Sequence, residues 1–513
     1  MQRRSFLVLA VLLILATLVP LAEAKVKLPS IISDNMVLQQ GRPVTIWGWA
    51  DPGEQITVRL SGPYSDQSIG DHWKGMQREA RAKADAHGRW RVTLGSLEPE
   101  GQVTAGRLPL KGQWETMIIT DSSGEETAVK NIRVGEVWLC SGQSNMEMRV
   151  IQSNDAKNEI AKAKYPKIRF FQVKNVTADE PQKECQGRWV VCSPETVGGC
   201  TAAGYFFARE LLQDLKVPVG LIQSDWGGTP AEAWTSREAL EAEPSLAPLL
   251  KRWDEAVGKN KKQARSPHRP ANLYNAMIAP ILPYTIRGAL WYQGEANVGR
   301  AHQYRTIFPT MIADWRERFK QPDLPFGFVQ IAPFRYTRKG NQNNVQWCAE
   351  LWEAQLMTLK NTSNTGMAVT TDIGDLKNIH PTNKQEVGRR LALWALATVY
   401  GKNLVYSGPI YQSMKVEGNK IRLSFDHVGS GLASRDGKPL THFTIAGADM
   451  EFHPAVATID GRSIVVGSDA VEAPAAVRFA WHETAEPNLM NQEGLPASPF
   501  RTDDAKCLTE GKD

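Results

Sequence analysis

A chain of 513 residues with a formal net charge of +5 is too long for one core and suits two or three domains. The charges are of mixed sign with no basic run, which argues against nucleic acid as a partner. The six cysteines, at 140, 185, 192, 200, 348 and 507, show no paired metal-ligand spacing, so neither a metal nor a cofactor is expected; one disulfide among Cys185, Cys192 and Cys200 would suit an oxidising compartment.

Residues 1–24 begin with Arg3 and Arg4, continue through an apolar stretch at 6–19 and end on Leu21-Ala-Glu-Ala24. This reads as a secretory signal cut after Ala24, which makes the protein secreted or periplasmic. The apolar stretch, broken by Pro20, is short of the ~20 residues that a membrane anchor needs. No later segment is long and apolar enough to span a bilayer, so the mature chain is expected to have no membrane span.

From 25 to 131 the text is β. Residues 44–50 and 55–60, on either side of Asp51-Pro-Gly53, predict two strands joined by a tight turn. Residues 116–120 and 128–132 flank Asp121-Ser-Ser-Gly124 as a further hairpin, and the region as a whole suggests a small β-sandwich. Trp47 and Trp49 read as core in preference to a sugar-stacking face.

From 132 to 403 strands alternate with helices, the mark of a parallel sheet covered on both faces. The apolar run 134–140 stops at Ser141-Gly-Gln-Ser144 and so presents Ser144 at the carboxyl end of a strand, where ligands of such sheets bind. The plainer reading of the same residues is a helix cap made by Ser144 or Asn145. A second run, 217–226, ends in Gly227-Gly228, whose missing side chains let backbone amides approach a ligand oxygen. A third closes on Gln293-Gly-Glu295, and the loop after a fourth carries His380 just before Pro381. Helices are predicted at 202–215, 302–319, 345–359 and 384–400, with a buried strand at 325–333 and His302 as a surface or cap residue. From 404 to 513 the pattern returns to β, a second sandwich packed on the catalytic domain, with Tyr411, Trp481, His482 and Asn488 as candidates to rim the site.

Four segments then carry a resemblance: Gly142-Gln-Ser-Asn-Met146, Trp226-Gly-Gly-Thr-Pro230, Trp291-Tyr-Gln-Gly-Glu295 and Ile379-His-Pro-Thr-Asn-Lys-Gln-Glu-Val-Gly388. Together the chain resembles the sialate O-acetylesterases within the SGNH (GDSL-like) hydrolases, from the start of the mature chain to near its end. The resemblance implies an α/β SGNH-hydrolase sheet with helices on both faces, flanked by N- and C-terminal β-sandwich-like domains. It implies Ser144 as nucleophile and His380 as base. Oxyanion donors would be the Ser144 amide, a Gly227 or Gly228 amide, and the Gln293 side chain, in the block where other SGNH enzymes use an asparagine. One position departs from the pattern: the aspartate that commonly stands three residues before the histidine is Lys377 here. Asp375 is the first candidate to orient His380 and Asp372 the second; a Ser–His dyad helped by a backbone carbonyl is the third reading. Glu295 reads as a supporting residue that orients Gln293 or binds a sugar hydroxyl, or else pairs with Arg287.

The activity implied is removal of O-acetyl groups from carbohydrate through an acetyl-serine. Acetylated sialic acid is the namesake substrate and acetylated xylan or another polysaccharide the rival. A sialate carboxylate calls for an Arg or Lys, for which Arg149, Arg300 and Lys377 are candidates. A non-catalytic carbohydrate-binding protein is the alternative of a different class.

Overall fold

The computed structural model describes residues 26–62, 77–98, 115–337 and 344–512, so the signal read at 1–24 lies outside the described residues. The sequence Arg133–Gly142 (β1) is buried along almost all of its ten residues, as expected of a central strand covered on both faces. Around it lie Ile168–Gln172 (β2), Trp189–Val191 (β3), Val219–Asp225 (β4), Gly288–Tyr292 (β5), Phe326–Val329 (β6) and Thr365–Ala368 (β7). Their order across the sheet is β3-β2-β4-β1-β5-β6-β7; β3 is antiparallel to β2 and every other neighbour is parallel. The short N-terminal strand Val37–Gln39 pairs in parallel with the start of β1, which ties the leading segment into the same sheet. The chain leaves β1 for β2 on one side of it and later crosses from β4 to β5 on the other, so the carboxyl end of β1 lies at a topological switch point.

The helices that position the site are Ser144–Glu147 (α1), Ala202–Leu215 (α2), Ala301–Arg318 (α3), Trp347–Asn361 (α4) and Lys384–Thr398 (α5). Side-chain caps start two of them: Thr201 accepts from the Gly204 amide before α2, and Asn383 accepts from the Glu386 amide before α5. Helix α5 is seated by close approach. Trp394 lies in a groove left by two strand glycines; a Cβ on Gly366 would fall 2.1 Å from the indole, and one on Gly327 2.5 Å from it. Gly388 meets α2 in the same way, with Phe206 Cβ 2.5 Å from where its own Cβ would be. Any side chain at these positions would lift α5, and with it the loop that carries His380.

The tight turn expected between 44–50 and 55–60 does not make a hairpin. Pro43–Trp49 pairs antiparallel with Arg89–Ser96, whereas Gln55–Ser61 pairs with Gln77–Lys83 and Thr116–Thr120 in a separate sheet. Each strand has one apolar face to bury, Val44 and Ile46 in the first and Ile56, Val58 and Leu60 in the second. The turn therefore carries the chain between sheets instead of folding it back within one. The hairpin Thr116–Thr120 with Glu126–Lys130 does form, closed by Asp121, whose carboxylate accepts the amides of Ser123 and Glu125. Trp47 is buried edge-on to Tyr284.

The C-terminal part consists of antiparallel sheets. The residues expected at the rim of the site serve this part's own packing. Tyr411 stacks on Phe500 at 4.6 Å, Trp481 lies beside Arg478 and Arg501, His482 bonds Thr484, and the buried Asn488 bonds Ser434, Asp436 and Pro439. All six cysteines are buried and free, so the disulfide expected among Cys185, Cys192 and Cys200 is not formed. Cys507 accepts from Arg305 and Arg501, and Cys140 packs as a small apolar side chain beneath α2. Among the described residues no helix is long and apolar enough to cross a membrane.

Candidate active site

The carboxyl end of β1 is shaped by Gly142. Its φ of +140° and the Tyr292 carbonyl, which a Cβ would meet at 2.2 Å, leave room for glycine alone. The Gln143 amide then donates to the Tyr292 carbonyl at 3.0 Å, and its side-chain oxygen accepts the Ala296 amide at 3.1 Å. This stitches the turn after β1 to the turn after β5. Gln143 is the N-cap of α1 and makes no side-chain cap, so Ser144 is the first helical residue and not a cap. Its hydroxyl is free for other work.

That hydroxyl lies 2.8 Å from His380 Nε2. The two residues come from the turn after β1 and the loop after β7, three strands apart in the sheet. Burial, and then the neighbouring Lys384 amine, pull the imidazole below its ordinary pKa. A neutral ring can accept the serine proton.

The structure does not bring Asp375 to His380. Asp375 is exposed, and its carboxylate accepts the amides of Lys377 and Asn378 at 2.8 and 3.2 Å, an Asx turn that consumes it locally. Asp372 is not available either: both its oxygens take Arg390, at 2.7 Å each, and anchor the loop to α5. Lys377 is exposed. Among the described residues no carboxylate bonds the His380 ring.

Gln293 is also placed differently from the expectation. It is fully buried; its amide nitrogen donates to Asn297 at 2.7 Å and to the Thr229 carbonyl at 3.3 Å, and its oxygen accepts the Tyr304 hydroxyl at 3.0 Å. Both donors of its side-chain amide are already used inside the protein, so the side chain holds two loops together and offers no donor to an oxyanion. Gly227 does lie against Ser144: a Cβ there would come within 3.3 Å of the serine Cβ. Its amide, however, donates to the Glu147 carboxylate at 2.7 Å. Gly228 has a φ of +76° and is exposed, and neither its amide nor that of Ser144 is engaged among the described residues.

Beneath the serine lies a polar cluster, of which the sequence pointed to Glu295 as a supporting residue and not to Asn145 or Lys384. Asn145 Nδ2 donates to Glu295 Oε1 at 2.6 Å and to the Ile379 carbonyl at 2.9 Å. Lys384 Nζ donates to Asn145 Oδ1 and to the Pro381 carbonyl, both at 2.7 Å, and lies 5.1 Å from the centre of the Tyr292 ring. Burial pushes Glu295 up and pulls Lys384 down to about 7. Glu295 thus contacts neither Gln293 nor Arg287; the latter pairs with Glu136 at the far end of the sheet. The role of Lys384 was not legible, because burial of a lysine cannot be read from spacing.

A cleft of about 820 Å³ is lined by Glu147, three residues after Ser144 in the chain, and by Arg149, Lys174 and Arg188 among others. Arg149 and Arg188 are exposed and make no ion pair among the described residues. Arg300 is committed elsewhere, to the buried Glu232 at 2.6 Å.

Residues 134–397 match the family described as carbohydrate esterase, sialic acid-specific acetylesterase. Over 92% of its length the chain is 29% identical to the human sialate O-acetylesterase, of which it covers 91%. Against the rat sialate O-acetylesterase it is 30% identical, over 96% of this chain and 97% of that one. A crystal structure of a carbohydrate acetylesterase from Xanthomonas citri superposes with a TM-score of 0.80 at 38% identity, covering 94% of this chain and all of that one.

Proposed function

The chain belongs to the sialic acid-specific acetylesterase family of carbohydrate esterases, carboxylic ester hydrolases that remove O-acetyl groups from carbohydrate, and we propose that it does so through an acetylated Ser144. The observation that carries this reading is the 2.8 Å contact between Ser144 Oγ and His380 Nε2. A serine hydroxyl is a weak nucleophile until a base takes its proton. His380 accepts that proton as Oγ attacks the acetyl carbon. In this reading the unengaged amides of Ser144 and Gly228 hold the oxyanion, and each such donor contributes on the order of 3 kcal/mol in the transition state. Collapse expels the sugar oxygen, which leaves with the proton from His380. Water then attacks the acetyl-serine by the same route and frees acetate.

We propose an O-acetylated sialic acid as substrate. What supports it is the cleft lined by Glu147, three residues after Ser144, where the exposed guanidinium groups of Arg149 and Arg188 offer partners for a sugar carboxylate. The test is acetate release from O-acetylated sialic acid and from acetylated xylan, measured side by side. Faster release from the sialic acid is expected; release from xylan alone would reassign the substrate. Mass analysis of enzyme quenched during turnover should find the acetyl group on Ser144, and its absence there would remove the serine pathway. The leader at 1–24 further places the enzyme outside the cytoplasm in this proposal, which N-terminal sequencing of exported protein starting at Lys25 would check.

A further inference from the structure

Ser144 and His380 are held at 2.8 Å although no acid touches the imidazole among the described residues. We infer that Lys384 and Asn145 are positioning residues that take over this task, by gripping the peptide carbonyls on both sides of His380. The inference rests on His380 being the base of the proposed reaction.

The geometry is a staple. Asn145 holds the Ile379 carbonyl at 2.9 Å and Lys384 holds the Pro381 carbonyl at 2.7 Å, while the two side chains hold each other at 2.7 Å. The residue after the nucleophile and the residues flanking the base are thereby parts of one frame. Hydrogen-bond chemistry leaves Asn145 a single orientation. Its oxygen must face the lysine, which only donates, and its nitrogen must face the Glu295 carboxylate and the Ile379 carbonyl, which only accept. Lys384 is 0% exposed, and its three donor directions are filled by an amide oxygen, a carbonyl oxygen and the Tyr292 ring. Burying an amine is unfavourable, and a methionine of similar length would fill the space without that penalty. The frame is also stiff. Lys384 is the first residue of α5, which Trp394 and Gly388 seat against β6, β7 and α2.

A clamp made of a cation differs from an orienting carboxylate in one observable way. A carboxylate raises the pKa of the imidazole; the charged groups around Lys384 are Glu295 and His380 itself, and Lys384 lowers the histidine. The sign of that shift tells a cation beside the ring from an orienting carboxylate, and the fall in kcat tells the clamp from mere packing.

The experiment uses the full-length enzyme and the variants K384M and N145A, with S144A and H380A as references. Three quantities are read: kcat and KM on an acetyl ester across pH, the rate at which a fluorophosphonate labels Ser144, and the melting temperature. K384M and N145A should lower kcat and the labelling rate by roughly a hundred-fold, the usual consequence of a base misplaced by about 1 Å. KM should stay within about threefold. In K384M the acid limb of kcat/KM should also move to higher pH. Folded variants with unchanged kcat, or with a raised KM and unchanged kcat, would overturn the clamp. If K384M fails to fold, kcat and labelling of N145A decide alone. Turnover surviving in S144A or H380A would instead bring down the serine mechanism itself. Inactive S144A and H380A beside fully active K384M and N145A would remove the clamp only.

Discussion

The two ends of strand β1 hold buried carboxylates in opposite conditions. At the amino end Glu136, fully buried, accepts five hydrogen bonds: from Gln39, from Gln40, two from Arg287 and one from the Tyr400 hydroxyl. At the carboxyl end the half-buried Glu295 accepts one side-chain bond, from Asn145, and its buried Oε2 has no partner among the described residues. Asp225, beside Gly142 in the sheet, likewise leaves Oδ2 unpaired, and burial followed by Glu147 pushes its pKa well up. Ser141 and Tyr292 add two more buried hydroxyls without partners. Unsatisfied buried polar groups cost stability. As regards its carboxylates, the same sheet therefore pairs a finished end with an unfinished one. Mutations at the two ends should separate activity from stability.

The largest effect is expected at the unfinished end. S144A should lower turnover by at least about a thousand-fold, since a nucleophile acting as a unit with its base cannot be partly replaced. Its melting curve should match that of the parent, because the hydroxyl caps nothing. Residual turnover in this variant would make another hydroxyl the nucleophile. At the finished end E136A should do the reverse. It leaves Arg287 facing an empty site and should cost about 3 kcal/mol of stability by denaturant unfolding, with kcat of the folded enzyme unchanged. A stable E136A with reduced kcat would abolish the contrast.

Gln293 sharpens the comparison, being a satisfied residue at the unfinished end. Q293A should cost about 2 kcal/mol of stability, mainly through the orphaned Asn297 and Tyr304 groups, and change kcat only a few-fold. A hundred-fold fall in kcat at constant KM would restore it to the oxyanion hole.

The pH profile gives a smaller effect. Burial and Lys384 hold the imidazole below its ordinary 6.5, so kcat/KM should stay level as pH falls past that value. It should drop only once the lowered pKa is crossed and the ring gains a proton. A limb above 6.5 would mean that a carboxylate acts on the ring after all. Smallest of all is D375N. An amide oxygen can still accept the Lys377 and Asn378 amides, so activity should change by less than about twofold at every pH.

Local patterns were legible wherever a short segment settles its own structure. Helix α2 spans the predicted 202–215 because Tyr205, Phe206, Ala208 and Leu211 recur at helical spacing and all face the core. Ser144 at a strand end followed from an apolar run that stops at small residues. The Pro43–Trp49 and Gln55–Ser61 strands were legible as strands, but their partners were not, because alternation shows which face is buried and not which sheet it is buried against. Gln293 and Asp375 were misplaced for a related reason. A polar residue in a suggestive block carries no mark of whether its hydrogen bonds are already used, and here Tyr304, Asn297 and the local amides use them.

By itself the sequence determined the alternating strands and helices, the apolar faces, the glycine at 142 and the strand ends on which Ser144 and His380 ride. These depend on residues close together in the chain, whose periodicity and turn chemistry act locally. Tertiary structure alone decided that Ser144 meets His380 across three strands, that neither Asp372 nor Asp375 reaches the imidazole, and that Lys384 is buried against Asn145. Those outcomes depend on where α5 docks. That is set by Trp394 fitting over Gly327 and Gly366, a match between surfaces tens of residues apart that only the assembled sheet creates.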